Sequence, residues 1–140
     1  MHLDDLNWQR RKYSKFGAYE ESKLAVLLFV AELARRGVRV YATDPGATDT
    51  KIARDATGVL GRMDSLPLPR FYLQTAAKGA RSSIEAVTTK LPSGTQLAPR
   101  FNQWGQPKPT KLRAKALDPI AARQLWELSA DLTGCDWSAG

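Results

Sequence analysis

Apolar residues recur at helical spacing from about Gly17 to Arg36. Leu24, Leu27, Leu28 and Ala31 form one stripe, and Ala25, Phe29 and Leu33 widen it. A helix apolar over so much of its circumference is expected to be buried on more than one side. Glu20 and Glu21 fall in its predicted first turn and Arg35 and Arg36 in its last, matching the macrodipole, and Gly37 suits a left-handed cap. The period then changes. Val38 to Thr43 alternates as a short strand would, and Asp44-Pro-Gly46 ends it with a turn. Thr48 or Asp49 is placed to cap a short helix reaching about Ala56. Residues 57 to 71 hold glycines and two prolines and are expected to be mobile. Leu73, Ala76, Ala77, Ala80, Ile84 and Val87 trace another amphipathic helix, closed by Lys90 and Pro92. Gly79 inside it costs about 1 kcal/mol relative to alanine unless a close neighbour needs the space.

Residues 93 to 98 suit a short strand, and a Pro-rich loop follows to about Ala116. Asp118-Pro119 is a strong helix start, with Asp as cap and Pro at the first helical position. The predicted helix, about 119–133, has Ala121, Leu125, Leu128 and Leu132 as its inner stripe and Gly134 as its stop. Before Gly17 the chain is polar, anchored by Leu3, Leu6, Trp8 and Phe16, and reads as a loop with one helical turn. Helix, strand, helix, helix, strand, helix is an α/β order. Two short strands do not cover helices this apolar, so the pattern reads as part of a larger sheet.

Composition narrows the classes. The 140 residues are 43% hydrophobic and 25% charged, as in an ordinary single globular domain. Twenty-one Lys plus Arg against fourteen Asp plus Glu gives +7. The basic residues are spread out, except that no acid occurs between Glu85 and Asp118 while Lys90, Arg100, Lys108, Lys111, Arg113 and Lys115 are basic. A solvated loop face explains that stretch; Phe101 and Trp104 alone do not make a nucleic-acid platform, so no specific nucleic acid is expected. Cys135 is the only cysteine, which fits a reducing, cytoplasmic compartment. Leu24 to Ala31 is too short an apolar run to span a bilayer, and residues 1–12 lack the apolar core of a secretory signal. One Cys and one His cannot build a zinc site, so no metal is expected. His2, in an expected disordered tip, is given no ligand role, and Trp126 is read as packing.

Tyr19 and Lys23, in Ala18-Tyr-Glu-Glu-Ser-Lys23, lie one helical turn apart on one face. A free phenol is a poor proton donor or acceptor at pH 7, and a nearby ammonium favours the phenolate. Such a pair suits general acid/base work. The spacing alone is weak; a buried helix, a strand and then Pro-Gly give it context.

That context resembles the short-chain dehydrogenase/reductase family. Tyr19-Glu-Glu-Ser-Lys23 matches its Tyr-x-x-x-Lys motif, and Ser22-Lys-Leu-Ala-Val-Leu-Leu-Phe29 is similar to the motif helix of the retinol-dehydrogenase-like branch. Asp4-Asp-Leu-Asn-Trp8 and Arg11-Lys-Tyr-Ser14 also resemble that branch. Asp44-Pro-Gly-Ala-Thr-Asp-Thr50 is similar to its Pro-Gly turn over the nicotinamide. Gly94 to Pro99, Leu125 to Ser129 and Leu132 to Gly134 match its C-terminal end. The resemblance implies the C-terminal half of a doubly wound, Rossmann-type parallel sheet that binds NAD or NADP, with its N-terminal nucleotide-binding strands missing. Tyr19 is then the proton donor or acceptor for an alcohol/carbonyl substrate, and Lys23 holds the nicotinamide ribose and depresses the phenol pKa. Pro45, Gly46, Thr48 and Thr50 line the nicotinamide end, and residues of about 51–73 form the substrate lid.

The family's Gly-rich phosphate turn has no counterpart in these residues, since Gly58-Val-Leu-Gly61 does not follow a strand with the needed spacing. Its catalytic serine has none either, because Ser14 lies too close to Tyr19. The expectation is therefore a fragment of an oxidoreductase, inactive alone, with weak or no dinucleotide binding. Two other readings stay open: an interaction module that forms a homo- or hetero-oligomer with a family member through the motif helix, and a nonspecific basic nucleic-acid binder.

Overall fold

The computed structural model describes residues 1–49, 73–101 and 103–135. They form two compact units, one of Met1–Val40, Pro92–Gly94 and Lys111–Gly140, the other of Tyr41–Leu91 and Thr95–Thr110.

The first unit is built on helix α1, Lys15–Arg35. It begins two residues earlier than the apolar pattern predicts, because Ser14 takes the cap and its side chain accepts a hydrogen bond from the Gly17 amide at 3.2 Å. Glu20 and Glu21 are therefore not in the first turn, which holds no acid. Gly37 has φ +80°, as the left-handed reading requires. The predicted stripe is partly right: Leu28 and Ala31 are buried, as are Val30 and Glu32. Glu32 tolerates burial because Arg35 and Arg36 reach it at 2.6 and 2.9 Å. Against α1 packs the last helix, Pro119–Thr133, opened by Asp118 accepting from the Ile120 and Ala121 amides. Gly134, at φ +65°, ends it. Leu28, Ala122 and Leu125 are the centre of the core. Trp126 does pack, 5.5 Å from the Phe29 ring, whereas Leu132, predicted to lie on the inner stripe, is exposed.

The second unit holds a three-stranded sheet in the order β1 (Ala42–Thr43), β2 (Gln96–Pro99), β3 (Pro107–Thr110). β1 and β2 are parallel, pairing Ala42 with Gln96; β2 and β3 are antiparallel, pairing Leu97 with Pro109. The α/β class stands, but this sheet is mixed rather than parallel throughout, and it has one strand more than the sequence predicts. Pro107 and Pro109 concealed β3, because proline is tolerated only where a strand has an unpaired edge. The predicted strand from Val38 shrinks to two residues. Upstream of it, Ser93 Oγ donates to the Val38 carbonyl at 2.6 Å and accepts from the Val40 amide, in place of a ladder. The predicted second helix is two pieces, α2 (Ala76–Gly79) and α3 (Arg81–Thr88), joined at Ala80; with these, the last helix is α4. A Cβ at Gly79 would meet Thr48 Oγ1 at 2.6 Å, so a close neighbour does need that space. The short helix to Ala56, the mobile segment and most of the lid lie outside the described residues. No helix among the described residues is long and apolar enough to cross a membrane.

Candidate active site

Tyr19 and Lys23 sit in the first half of α1, where helical spacing alone sets them on one face. Lys23 Nζ lies 5.4 Å from the centroid of the Tyr19 ring, so the two side chains face each other. Both are exposed. Ser22, between them, turns its hydroxyl back to the Tyr19 carbonyl at 2.7 Å and is occupied by the helix itself.

The helix start is clasped by the segment before it. Arg11 makes a two-pronged pair with Glu21, at 2.9 and 3.0 Å, and its Nε reaches Asp5 at 3.2 Å. Its guanidinium also lies 4.0 Å over the Trp8 ring. Asp5 is buried and accepts the backbone amides of Gln9, Arg10 and Arg11. The Arg11 hydrogen bonds hold the Glu21 carboxyl down at about 2. Burial pushes the Asp5 carboxyl up, but the amides of Gln9 and Arg10 and the Arg11 side chain outweigh it and leave it below the ordinary range. His2 is not a disordered tip: its Nδ1 lies 2.8 Å from Glu21 Oε1. The sequence showed Arg11 only as one of a run of cations; nothing in its spacing marked it as the centre of this cluster.

In the second unit Pro45, Gly46 and Thr48 come together in one turn, and Thr50 lies outside the described residues. Gly46 has φ +68°, and its amide donates to Asp44 Oδ1 at 2.8 Å. The Ala47 amide donates to the Gln103 carbonyl at 3.2 Å. Thr48 Oγ1 is turned to the carbonyls of Pro45 and Gly46 at 3.2 and 3.3 Å. Gln74, which sequence reasoning missed, is buried beneath the turn and bonded to it. Its signal was invisible because a buried amide has no periodicity.

A dinucleotide would find a fit at the dyad, where an exposed ammonium and phenol suit a ribose diol. At the turn the Gly46 and Ala47 amides are already spent, so the turn offers a fixed surface with Pro45 exposed rather than free donors. Groups of His, Cys, Asp and Glu able to hold a metal do not occur among the described residues.

The Tyr19–Lys23 pair on α1 and the Pro45-Gly46 turn after β1 are the features that the motifs pointed to, and comparison with known proteins gives the family. The chain is 38% identical to human Retinol dehydrogenase 13 over 141 aligned positions, covering 96% of this chain and 41% of that protein. It is 33% identical to human Retinol dehydrogenase 14, covering 96% of this chain and 40% of the relative. A crystal structure of an uncharacterized protein from Mycobacterium paratuberculosis superposes with a TM-score of 0.73 at 36% identity, over 96% of this chain and 45% of that one. No family model matches the chain. Over the part it shares with these relatives, the chain belongs to the short-chain dehydrogenase/reductase family, in its retinol-dehydrogenase-like branch. It spans about two-fifths of the length of the retinol dehydrogenases it matches.

Proposed function

We propose that these residues are the C-terminal part of a Rossmann-type catalytic domain. The reaction is NAD(P)-dependent interconversion of an alcohol and a carbonyl. The observation that carries this reading is the facing, exposed Tyr19–Lys23 pair on a helix whose opposite side is core. The Tyr19 phenol gives its proton to the substrate oxygen when a carbonyl is reduced and takes it back when an alcohol is oxidised. Lys23 holds the ribose hydroxyls and keeps a positive charge beside the phenol. Pro45, Gly46 and Thr48 line the nicotinamide end, and Thr50, outside the described residues, is assigned there from the family motif alone. The dinucleotide, when bound, supplies or takes the hydride. The relatives are named for retinol; a small-molecule alcohol or carbonyl is the substrate class proposed for this chain. The single cysteine supports a reducing, cytoplasmic setting.

The 140-residue polypeptide carries the proton-transfer pair but no Gly-rich phosphate cradle and no carbonyl-polarising serine at the family's spacing. Most transition-state stabilisation then has no source, and the polypeptide by itself turns over nothing. Calorimetric titration with NADH and NADPH, and absorbance assays with aldehydes, test this. Weak binding, in about the millimolar range, and no hydride transfer are expected; tight 1:1 binding or turnover would sink the reading.

One observation favours a second reading. Phe16, Tyr19 and Val26 are each more than half exposed on α1 and share a face with Lys23. β1 pairs on one side only among the described strands. The chain would then dock on a full-length family member through this helix. Co-purification lost on Val26→Glu supports docking; a monomer indifferent to that change removes it.

A further inference from the structure

We propose that Gln74 is a positioning residue for the Pro45–Gly46 turn, an inference that rests on reading that turn as the nicotinamide-lining element. Gln74 is only 7% exposed. Its backbone amide donates to the Ala47 carbonyl at 2.8 Å, and its carbonyl accepts from the Asp49 amide at 2.9 Å. Its side-chain nitrogen donates to the Pro45 carbonyl at 3.2 Å and to the Gln103 carbonyl at 2.7 Å. Both side-chain partners are carbonyl oxygens, which fixes the amide with its nitrogen toward them. The same Gln103 oxygen accepts from Ala47. Residues 45, 47 and 49 are thus all tied to one side chain and its backbone, and the hairpin between β2 and β3 is tied in through Gln103.

The fit leaves no slack. A Cβ on Gly46 would lie 2.6 Å from the Gln103 oxygen and 2.9 Å from Gln74 Nε2. A turn whose own amides are spent recognises a planar ring by shape, and shape recognition depends on the backbone being held before the ligand arrives. Gln74 does this from beneath, touching no reacting group. Gln74→Glu keeps the side chain's form but removes both donors and sets a carboxylate against two carbonyl oxygens. Gln74→Met removes the donors without the added charge.

The test is nuclear magnetic resonance on the full 140-residue chain and both variants. Amide exchange at Ala47 and Asp49 is expected to quicken about tenfold in Gln74→Glu and by less in Gln74→Met. The Thr89 amide, bonded to Glu85 in the same unit, keeps its rate. Reduced nicotinamide mononucleotide, added to about 20 mM to reach millimolar affinities, should shift the Gly46 amide in the unaltered chain and act about fivefold more weakly on Gln74→Glu. Equal exchange rates in all three proteins would overturn the role of Gln74, whatever the nucleotide does. Faster exchange with equal nucleotide affinity would also overturn it, leaving Gln74 a purely structural contact. No Gly46 shift in the unaltered chain would overturn the nicotinamide reading of the turn, and this inference with it.

Discussion

The dyad helix and the Pro-Gly turn present chemistry in opposite ways. Tyr19 and Lys23 are side chains on a regular helix, and four residues of separation are enough to make them face each other. The turn presents backbone, held by Gln74 and Gln103, which lie far away in the sequence. A side-chain pair survives wherever its helix survives. A backbone surface survives only while its distant supports do. Damage should therefore reach the turn through residues that carry no chemistry, and should reach the dyad only through its own two side chains or through loss of α1.

The largest effects should come from the cores that support each region. Leu28 and Leu97 are each 1% exposed. Leu28→Ala and Leu97→Ala should each cost about 3 kcal/mol, a lost side chain plus a cavity. Exchange protection measured by unit should fall around α1 and α4 in the first variant and around the sheet in the second; loss spread evenly over both would blur the comparison.

Next comes Gly46→Val. A branched Cβ at φ +68° meets a backbone carbonyl that cannot step aside, and about 2 kcal/mol of destabilisation is expected. Thermal melting checks it, with Gly37→Val as reference. Gly37 also has positive φ but no atom within 4 Å of an added Cβ, so its cost should be smaller.

A smaller effect is set by pH. The Glu21 carboxyl sits at about 2 against an ordinary 4.5, so the folded state holds it ionised more strongly than the unfolded chain does. Its contribution is fully present above about pH 5 and is lost as pH falls toward 2. Asp5 is shifted the same way. Solvent screening limits the Glu21 share to about 1 kcal/mol. Glu21→Gln should flatten the acid side of the stability profile, and an unchanged slope would remove the clasp from the account.

The smallest change is Tyr19→Phe. The Tyr19 side chain is half exposed and its hydroxyl has no hydrogen bond among the described residues, so stability should move by less than about 0.5 kcal/mol. A large loss would mean that the hydroxyl is part of the packing.

The same contrast decides what could be read from the chain alone. The final helix was legible end to end, since Asp118, Pro119 and Gly134 act within a few residues of themselves. Gly79 announced a close neighbour by its cost, and Thr48 supplies it. The dyad was legible for the same local reason. What stayed hidden was non-local. β3 is a strand only because β2 lies beside it, against the preference of its prolines. Val38 to Tyr41 alternates like a strand yet finds Ser93 and Gly94 in place of a ladder. Gln74 and Arg11 are ordinary polar residues until the fold surrounds them.

The most direct measurement joins this chain to the preceding portion of human Retinol dehydrogenase 13 and follows NADPH-dependent reduction of an aldehyde, with and without Tyr19→Phe. The account predicts activity in the joined protein, a fall of about a thousandfold on removing the hydroxyl, and unchanged cofactor affinity. Equal rates with and without the phenol would contradict it.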